Sequence, residues 1–401
     1  MSGDLKFEVV RKIAETNFKV RDLSKISKID SISPPSVFVG SRLKYPEVNV
    51  GILSPLEKDE SAWLYDDAKY WAENNFEINH IIYLRNNLLN SRFKTKVTDA
   101  RVSKAFLDLT KNIAIASNPV GVEIDLKNRV RSGREKDRIL TPLGLSANIE
   151  KAKITGNVRI DQHVDKTIND ELKASEGIKI LYKRNFDEYF LSKILSVGVL
   201  GLKKDKRIVP TRWSITATDD IIAKQLLENV RDYRWIENFE LCHGEFLGNQ
   251  YLILLFPNAW SFELFELYFP GSSWNPSKEL KASTDCENFS GRKNYAFSTA
   301  GGYYATRLPI LKYLDLIKKQ ASVLVIRIET PSYWASLGVW VVRESVKKAL
   351  QKKMEFNSRG ELIESAKKIS KIKYSFDVND ILSRSKLLKA TREQKSLREF
   401  F

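Results

Sequence analysis

The most apolar runs in this chain are strand-sized, and that limits what it can fold into. YLILLF (251–256) and SVLVIRIE (322–329) fall well short of the roughly 18–20 apolar residues that span a bilayer, so no membrane segment is expected. SVFVG (36–40), VNVGIL (48–53), IAIAS (113–117), VGVEIDL (120–126) and VWVVRE (339–344) read as further short strands, the last running straight into a helix at ESVKKALQKK. FELCHGEFLGNQYLILLFP reads as a β-hairpin turning near Gly248 and Asn249. Residues 59–75 place Trp63, Tyr70 and Trp71 on one helix face, and 78–90, 98–111, 361–374 and 378–389 also suit helices. Strands and helices mix without regular alternation. The expected class is therefore α+β, a mixed sheet with helices forming a single large body with a flexible C-terminal tail.

Punctuation divides this body. Ser31-Ile32-Ser33-Pro34-Pro35 closes a charged, weakly helical segment at 1–33. The Ser/Gly/Pro-rich stretch 270–293 reads as loop and is the best internal boundary, giving body parts at 34–280 and 281–375 and a final helix and tail at 376–401. With 401 residues, 43% of them hydrophobic, the chain can bury a sizeable core.

Charge indicates the partner class. Lys and Arg number 66 against 50 Asp and Glu, a net charge of +16, which attracts polyanions; nucleic acid is the expected one, DNA first. A basic patch at KNRVRSGREKDR (127–138) carries Arg129, Arg131, Arg134 and Arg138 and reads as a solvated loop first, with a mobile loop over a site as the alternative. Cys242 and Cys286 are the only cysteines, so neither a disulfide framework nor a four-thiolate zinc site can form. The start, MSGDLKFEVVRK, lacks a secretory signal, and a cytoplasmic protein is expected.

The chain ends in QKSLREFF. In a single 3₁₀ turn Leu397 and Phe400 eclipse, with Phe401 beside them and Gln394 at the flank to hydrogen-bond. Such a plug contributes about 1.5–3 kcal/mol per large side chain on entering a pocket, before ordering costs. Lys386, Lys389, Arg392, Lys395 and Arg398 add attraction to an acidic partner. Gln394, Leu397, Phe400 and Phe401 together resemble the PCNA-interacting peptide that docks repair and replication proteins on the sliding clamp. The competing reading is a terminal helix packed on the protein's own core.

Three stretches of the body carry candidate chemistry. In VPTRWSITATDDIIAKQLL, Ser214 to Thr218 suits a short strand and Thr218 an N-cap, which by itself explains Asp219 and Asp220. Arg212 and Trp213 could bind a phosphate and stack a base. In CHGEF, a strand would put His243 and Glu245 on one face, as a proton-transfer pair or two ligands, although no metal constellation is spelled out by spacing. In STAGGYYATRLPILKYL, Gly301 and Gly302 permit a tight turn, and Tyr303, Tyr304 and Arg307 lead into a helix near Leu308 with Pro309 at its first position. No known nucleotide loop is present, and no cofactor is indicated.

PSVFVGSRLKYPEVNVGILSP (35–55), VPTRWSIT (209–216), GGYYATRLPILKYL (301–314) and LGVWVVRESV (337–346) resemble the archaeal Nre family of DNA repair proteins. The resemblance runs from about residue 34 to the end. It implies a two-part body, a role in the DNA damage response and clamp binding through the tail. Many members begin with a cysteine-rich, zinc-binding segment; residues 1–33 here contain no cysteine, which suggests a zinc-less branch. The expectation is a DNA repair factor recruited to PCNA. The rival is an enzyme acting on nucleotides or damaged nucleic acid, with Arg212, Asp219, Asp220, His243, Glu245 and Arg307 converging on a phosphate pocket.

Overall fold

The computed structural model describes residues 26–132 and 144–393. These form two compact units, one of the described residues up to Ile222 and one from Ala223 onward.

In the N-terminal unit a 7-stranded sheet runs in the order β1-β5-β7-β4-β3-β2, with β6 pairing at β7. Its strands are β1 (Lys28–Ser33), β2 (Ser36–Val39), β3 (Glu47–Pro55), β4 (Leu88–Lys96), β5 (Val120–Leu126), β6 (Arg131–Ser132) and β7 (Leu145–Ile154). Pairing is antiparallel except between β4 and β7. Helices α1 (Ala68–Glu73), α2 (Ile78–Asn86) and α3 (Ala105–Ile115) lie between strands, and α4 (Gln162–Asn169), α5 (Ala174–Lys183) and α6 (Glu188–Ser196) follow β7. Val39, Val48 and Val50 of β2 and β3 meet Leu107 of α3 in one hydrophobic cluster.

Helix α7 (Thr211–Val230) carries the chain across the division between the units. The C-terminal unit holds a 6-stranded sheet in the order β11-β10-β12-β9-β8-β13. Its strands are β8 (Phe239–Phe246), β9 (Asn249–Phe256), β10 (Ser261–Tyr268), β11 (Lys281–Glu287), β12 (Ser322–Glu329) and β13 (Lys353–Phe356). β10 and β12 are parallel; every other pair is antiparallel. The parallel pair needs a crossover, supplied by β11 and α8 (Gly301–Ile317). Helices α9 (Trp340–Leu350), α10 (Arg359–Tyr374), α11 (Asn379–Arg384) and α12 (Lys386–Glu393) complete the unit.

The two faces of this sheet differ. On one, Leu252, Leu254, Phe265, Leu267, Leu324 and Ile326 pack with Leu362, Ile381 and Leu387 of α10, α11 and α12. Strand alternation sends Tyr251, Glu266 and Arg327 to the other. There α9 lies close on β8: a Cβ on Gly244 would meet the Ala349 backbone at 2.8 Å.

The mixed α+β class holds for both units, each with a sheet mixing parallel and antiparallel pairs. The hairpin turns at Leu247 and Gly248, both at positive φ, as a two-residue connection requires. β5 and β12 occupy the expected ranges. Several local expectations fail. Residues 340–344 are helix, continuous with the expected helix that follows them: a continuous apolar run fits a buried helix as well as a strand, and Trp340 to Val346 are buried throughout. Residues 113–115 close α3. The 59–75 helix is broken into a 3₁₀ turn (Ala62–Asp66) and α1, the second capped by Asp67. The helix from 78 stops at Asn86, and β4 starts two residues later. Part of 1–33 is strand β1, 270–293 contains β11, and 378–389 covers α11 and the start of α12.

Candidate functional site

Most of the charged side chains of interest in the C-terminal unit lie on the non-aliphatic face of its sheet, and several are buried. Glu266 and Tyr268 end β10, and Arg327 and Glu329 stand beside them at the end of β12. Carboxyl ends of adjacent parallel strands are where open α/β sheets place their polar chemistry. Arg327 bridges the pair. Its guanidinium donates to Glu266, to Glu329 Oε2 at 3.0 Å and twice to Asn249 Oδ1, at 3.0 and 2.7 Å. Tyr268 donates its hydroxyl to Glu266 at 2.6 Å, and the Trp274 amide donates to Glu329 at 3.2 Å.

One guanidinium cannot neutralise two buried carboxylates. Burial pushes the Glu329 carboxyl up to about 7; Arg327 opposes the rise and Glu266 adds to it. The cluster thus holds a proton near neutrality, the property a general acid or base needs.

A second pair adjoins the first on the same face. Arg307 of α8 donates to Glu287 of β11 at 2.7 Å, and the same oxygen accepts from Trp260 Nε1 at 2.9 Å. All three residues are buried. A buried ion pair of this kind fixes the approach of α8 to the sheet. The first turn of α8 supports it: Gly302 leaves room for the Glu266 carboxylate, whose Oε1 would lie 2.1 Å from an added Cβ.

The sequence candidates fall as follows. Arg307, Tyr303 and Tyr304 are buried in α8, which begins at Gly301, so Gly301 and Gly302 are helical rather than a turn and Pro309 is interior. His243 projects from the opposite face of the sheet, where its Nε2 lies 3.4 Å from Lys373 Nζ of α10. Burial first, then Lys373 and Lys352, lower its pKa and keep it neutral. Glu245, on the same strand face, accepts from Gln250 at 3.2 Å. His243 and Arg307 are therefore not brought together. Arg212, Trp213, Asp219 and Asp220 all lie within α7; the strand at 214–218 and the Thr218 cap do not form. The helix starts at the Pro210 punctuation instead, where the Trp213 and Ser214 amides donate to Pro210 O at 2.8 and 3.0 Å. Trp213 is 52% exposed, whereas Asp219 is buried. Gln394, Leu397, Phe400 and Phe401 lie outside the described residues, as do Arg134 and Arg138.

Sequence reading missed Glu266, Glu287, Arg327 and Glu329. The signal was present: charged residues inside otherwise apolar runs, at alternate positions in VIRIE, must be paired if the run is buried. It missed Glu263 for the same reason. That carboxylate, buried on the aliphatic face, accepts from Ser385 Oγ at 2.5 Å and from the amides of Lys386 and Leu387 at 3.0 Å each. It clips the N-terminus of α12 to β10.

Among the described residues no group of three or more His, Cys, Asp or Glu is placed to hold a metal ion, and no helix is long and apolar enough to cross a membrane. No solved structure matches the chain. Sequence relatives are closer. The chain is 40% identical to the DNA repair protein NreA of Haloferax volcanii over 80% of its own length and 77% of that protein's. It is 39% identical to NreA of Archaeoglobus fulgidus, covering 84% of each chain, and 32% identical to the DNA repair protein NreB of the same organism, covering 92% and 90%. The family descriptions "Archaeal Nre, N-terminal" and "Archaeal Nre, C-terminal" match residues 1–275 and 287–400. With both halves matched, the chain belongs to the archaeal Nre family.

Proposed function

We propose that this protein is a cytoplasmic DNA repair factor that the peptide Gln394, Leu397, Phe400 and Phe401 recruits to the PCNA sliding clamp. The carrying observation is the Gln-x-x-Leu-x-x-Phe-Phe spacing at the end of a chain whose family relatives are named DNA repair proteins. The Glu263 clip adds support, because it anchors α12, whose last residue directly precedes Gln394. A tether of this kind raises the effective concentration of a basic body near DNA, so two weak contacts act as one stronger contact. Calorimetric titration into the clamp of the same organism tests it. The full chain and a peptide of residues 386–401 bind at micromolar or tighter affinity, and Phe400→Ala with Phe401→Ala abolishes the heat. Undiminished binding by the double variant defeats the proposal.

A second reading, an enzyme acting on nucleotides or damaged nucleic acid, draws on one observation: the proton-holding Glu329 beside Glu266 and Arg327 at the ends of parallel strands. Arg307 argues for a structural role instead, since its guanidinium is committed to Glu287.

A further inference from the structure

The segment between β11 and α8, residues 288–300, reads NFSGRKNYAFSTA. It contains three aromatics and two cations and no carboxylate. Its aromatics face outward: Phe297 is 81% exposed, Phe289 46% and Tyr295 38%. Scattered apolar residues on a surface need no explanation, but three in one short loop do.

The loop is held firmly. Arg292 donates to the carbonyls of Cys286 at 3.0 Å, Asn294 at 2.8 Å and Tyr295 at 3.1 Å, and pairs with Asp285 at 2.8 Å. The other oxygen of Asp285 accepts from the amide and hydroxyl of Thr299, at 2.8 and 2.9 Å. The Ala296 amide donates to the Tyr304 hydroxyl at 3.1 Å. Phe297 is therefore displayed on a rigid support.

It is also the outer end of an aromatic ladder. Phe297 meets the Tyr295 ring edge-on at 5.2 Å, and Tyr295 stacks on Tyr304 at 5.4 Å with an interplanar angle of 27°. Tyr304 leads to Tyr303 and Tyr303 to Phe262 in the core. At the other end of the loop the Arg231 guanidinium lies 5.3 Å over the Phe289 ring. Lys293 is exposed between the two phenylalanines.

We infer that residues 288–297 form a stacking platform for single-stranded DNA, with Phe289 and Phe297 taking bases and Arg231 and Lys293 taking the backbone. The polymer's identity rests on the repair reading above; the single-strandedness rests on the loop. A duplex keeps its base faces inside, and an acidic peptide has no regular series of flat apolar faces. Only an unpaired strand offers negative charge and open π-faces at every step. The +16 net charge agrees in sign.

Fluorescence anisotropy with the full chain tests this, using a labelled oligothymidylate, the same length of duplex and an oligouridylate. Wild type prefers the oligothymidylate to the duplex. Phe289→Ala with Phe297→Ala weakens it about tenfold or more. Phe297→Trp keeps it, and the new indole is quenched by the DNA. Equal affinity of wild type and the double variant overturns the inference, as does tighter binding of the oligouridylate. Clamp titration of the same preparations separates the two proposals. Clamp binding with no phenylalanine-dependent single-strand binding removes the platform alone, while the opposite pattern removes the clamp alone.

Discussion

Ala300 adopts φ 47° and ψ −128° immediately before the first residue of α8. That backbone region costs a residue with a Cβ about 1–3 kcal/mol, and glycine little. Ala300→Gly accordingly stabilises the protein by about 1 kcal/mol in chemical denaturation. It also loosens the junction between the aromatic loop and α8. Glu329 makes a pH prediction. Its folded pKa, about 7, lies above the ordinary 4.5, so the folded state binds the extra proton between those values. Its contribution to stability is complete below pH 4.5 and is lost as pH rises through 7. Glu329→Gln therefore gains on wild type by roughly 3 kcal/mol across that window, read from denaturation midpoints at a series of pH values. A variant whose stability parallels wild type at every pH contradicts the assignment. Such residues were half-legible in the sequence. An arginine and a glutamate within VIRIE announce a buried pair, but nothing local says that Glu266, from a distant run, shares the arginine.

Among elements, α12 depends most on a single side chain. Ser385 caps the Leu388 amide at 3.0 Å, and Glu263 supplies the remaining acceptor, taking the Ser385 hydroxyl and the Lys386 and Leu387 amides. Glu263→Ala should cost about 2–4 kcal/mol, because charge-assisted bonds are lost and buried donors are left bare. Proteolysis within α12 should quicken in the same variant, whereas a variant with unchanged stability and cleavage would mean water replaces the cap. Element-level legibility followed mechanism. β5 shows strict alternation and β12 a turn-bounded apolar run, and both were placed correctly. Only the second half of α9 was, because its first half, buried on all sides, leaves no polar stripe to reveal its period. Nor was the start of α7, where β-branched Ile215, Thr216 and Thr218 suggested a strand. Packing overrode that propensity, and Pro210 was the better signal.

For the whole molecule, the sequence showed its class and charge, but not the division at Ala223, which falls within a continuous helix and leaves no punctuation. The candidate sites were legible in the same uneven way. Arg307 was noticed for its neighbours in sequence, yet its role is set by Glu287, on a strand that reads as loop. The clip at Glu263 bears on genetics. An allele ending at Glu393 removes the peptide and leaves the clip and the packed Leu387 and Leu388 in place. An allele ending before Ser385 leaves Glu263 a buried, unpaired carboxylate and takes both leucines from the core. Under the clamp proposal the first strain would report the phenotype of a folded protein that is not recruited, and the second that of a protein no longer there.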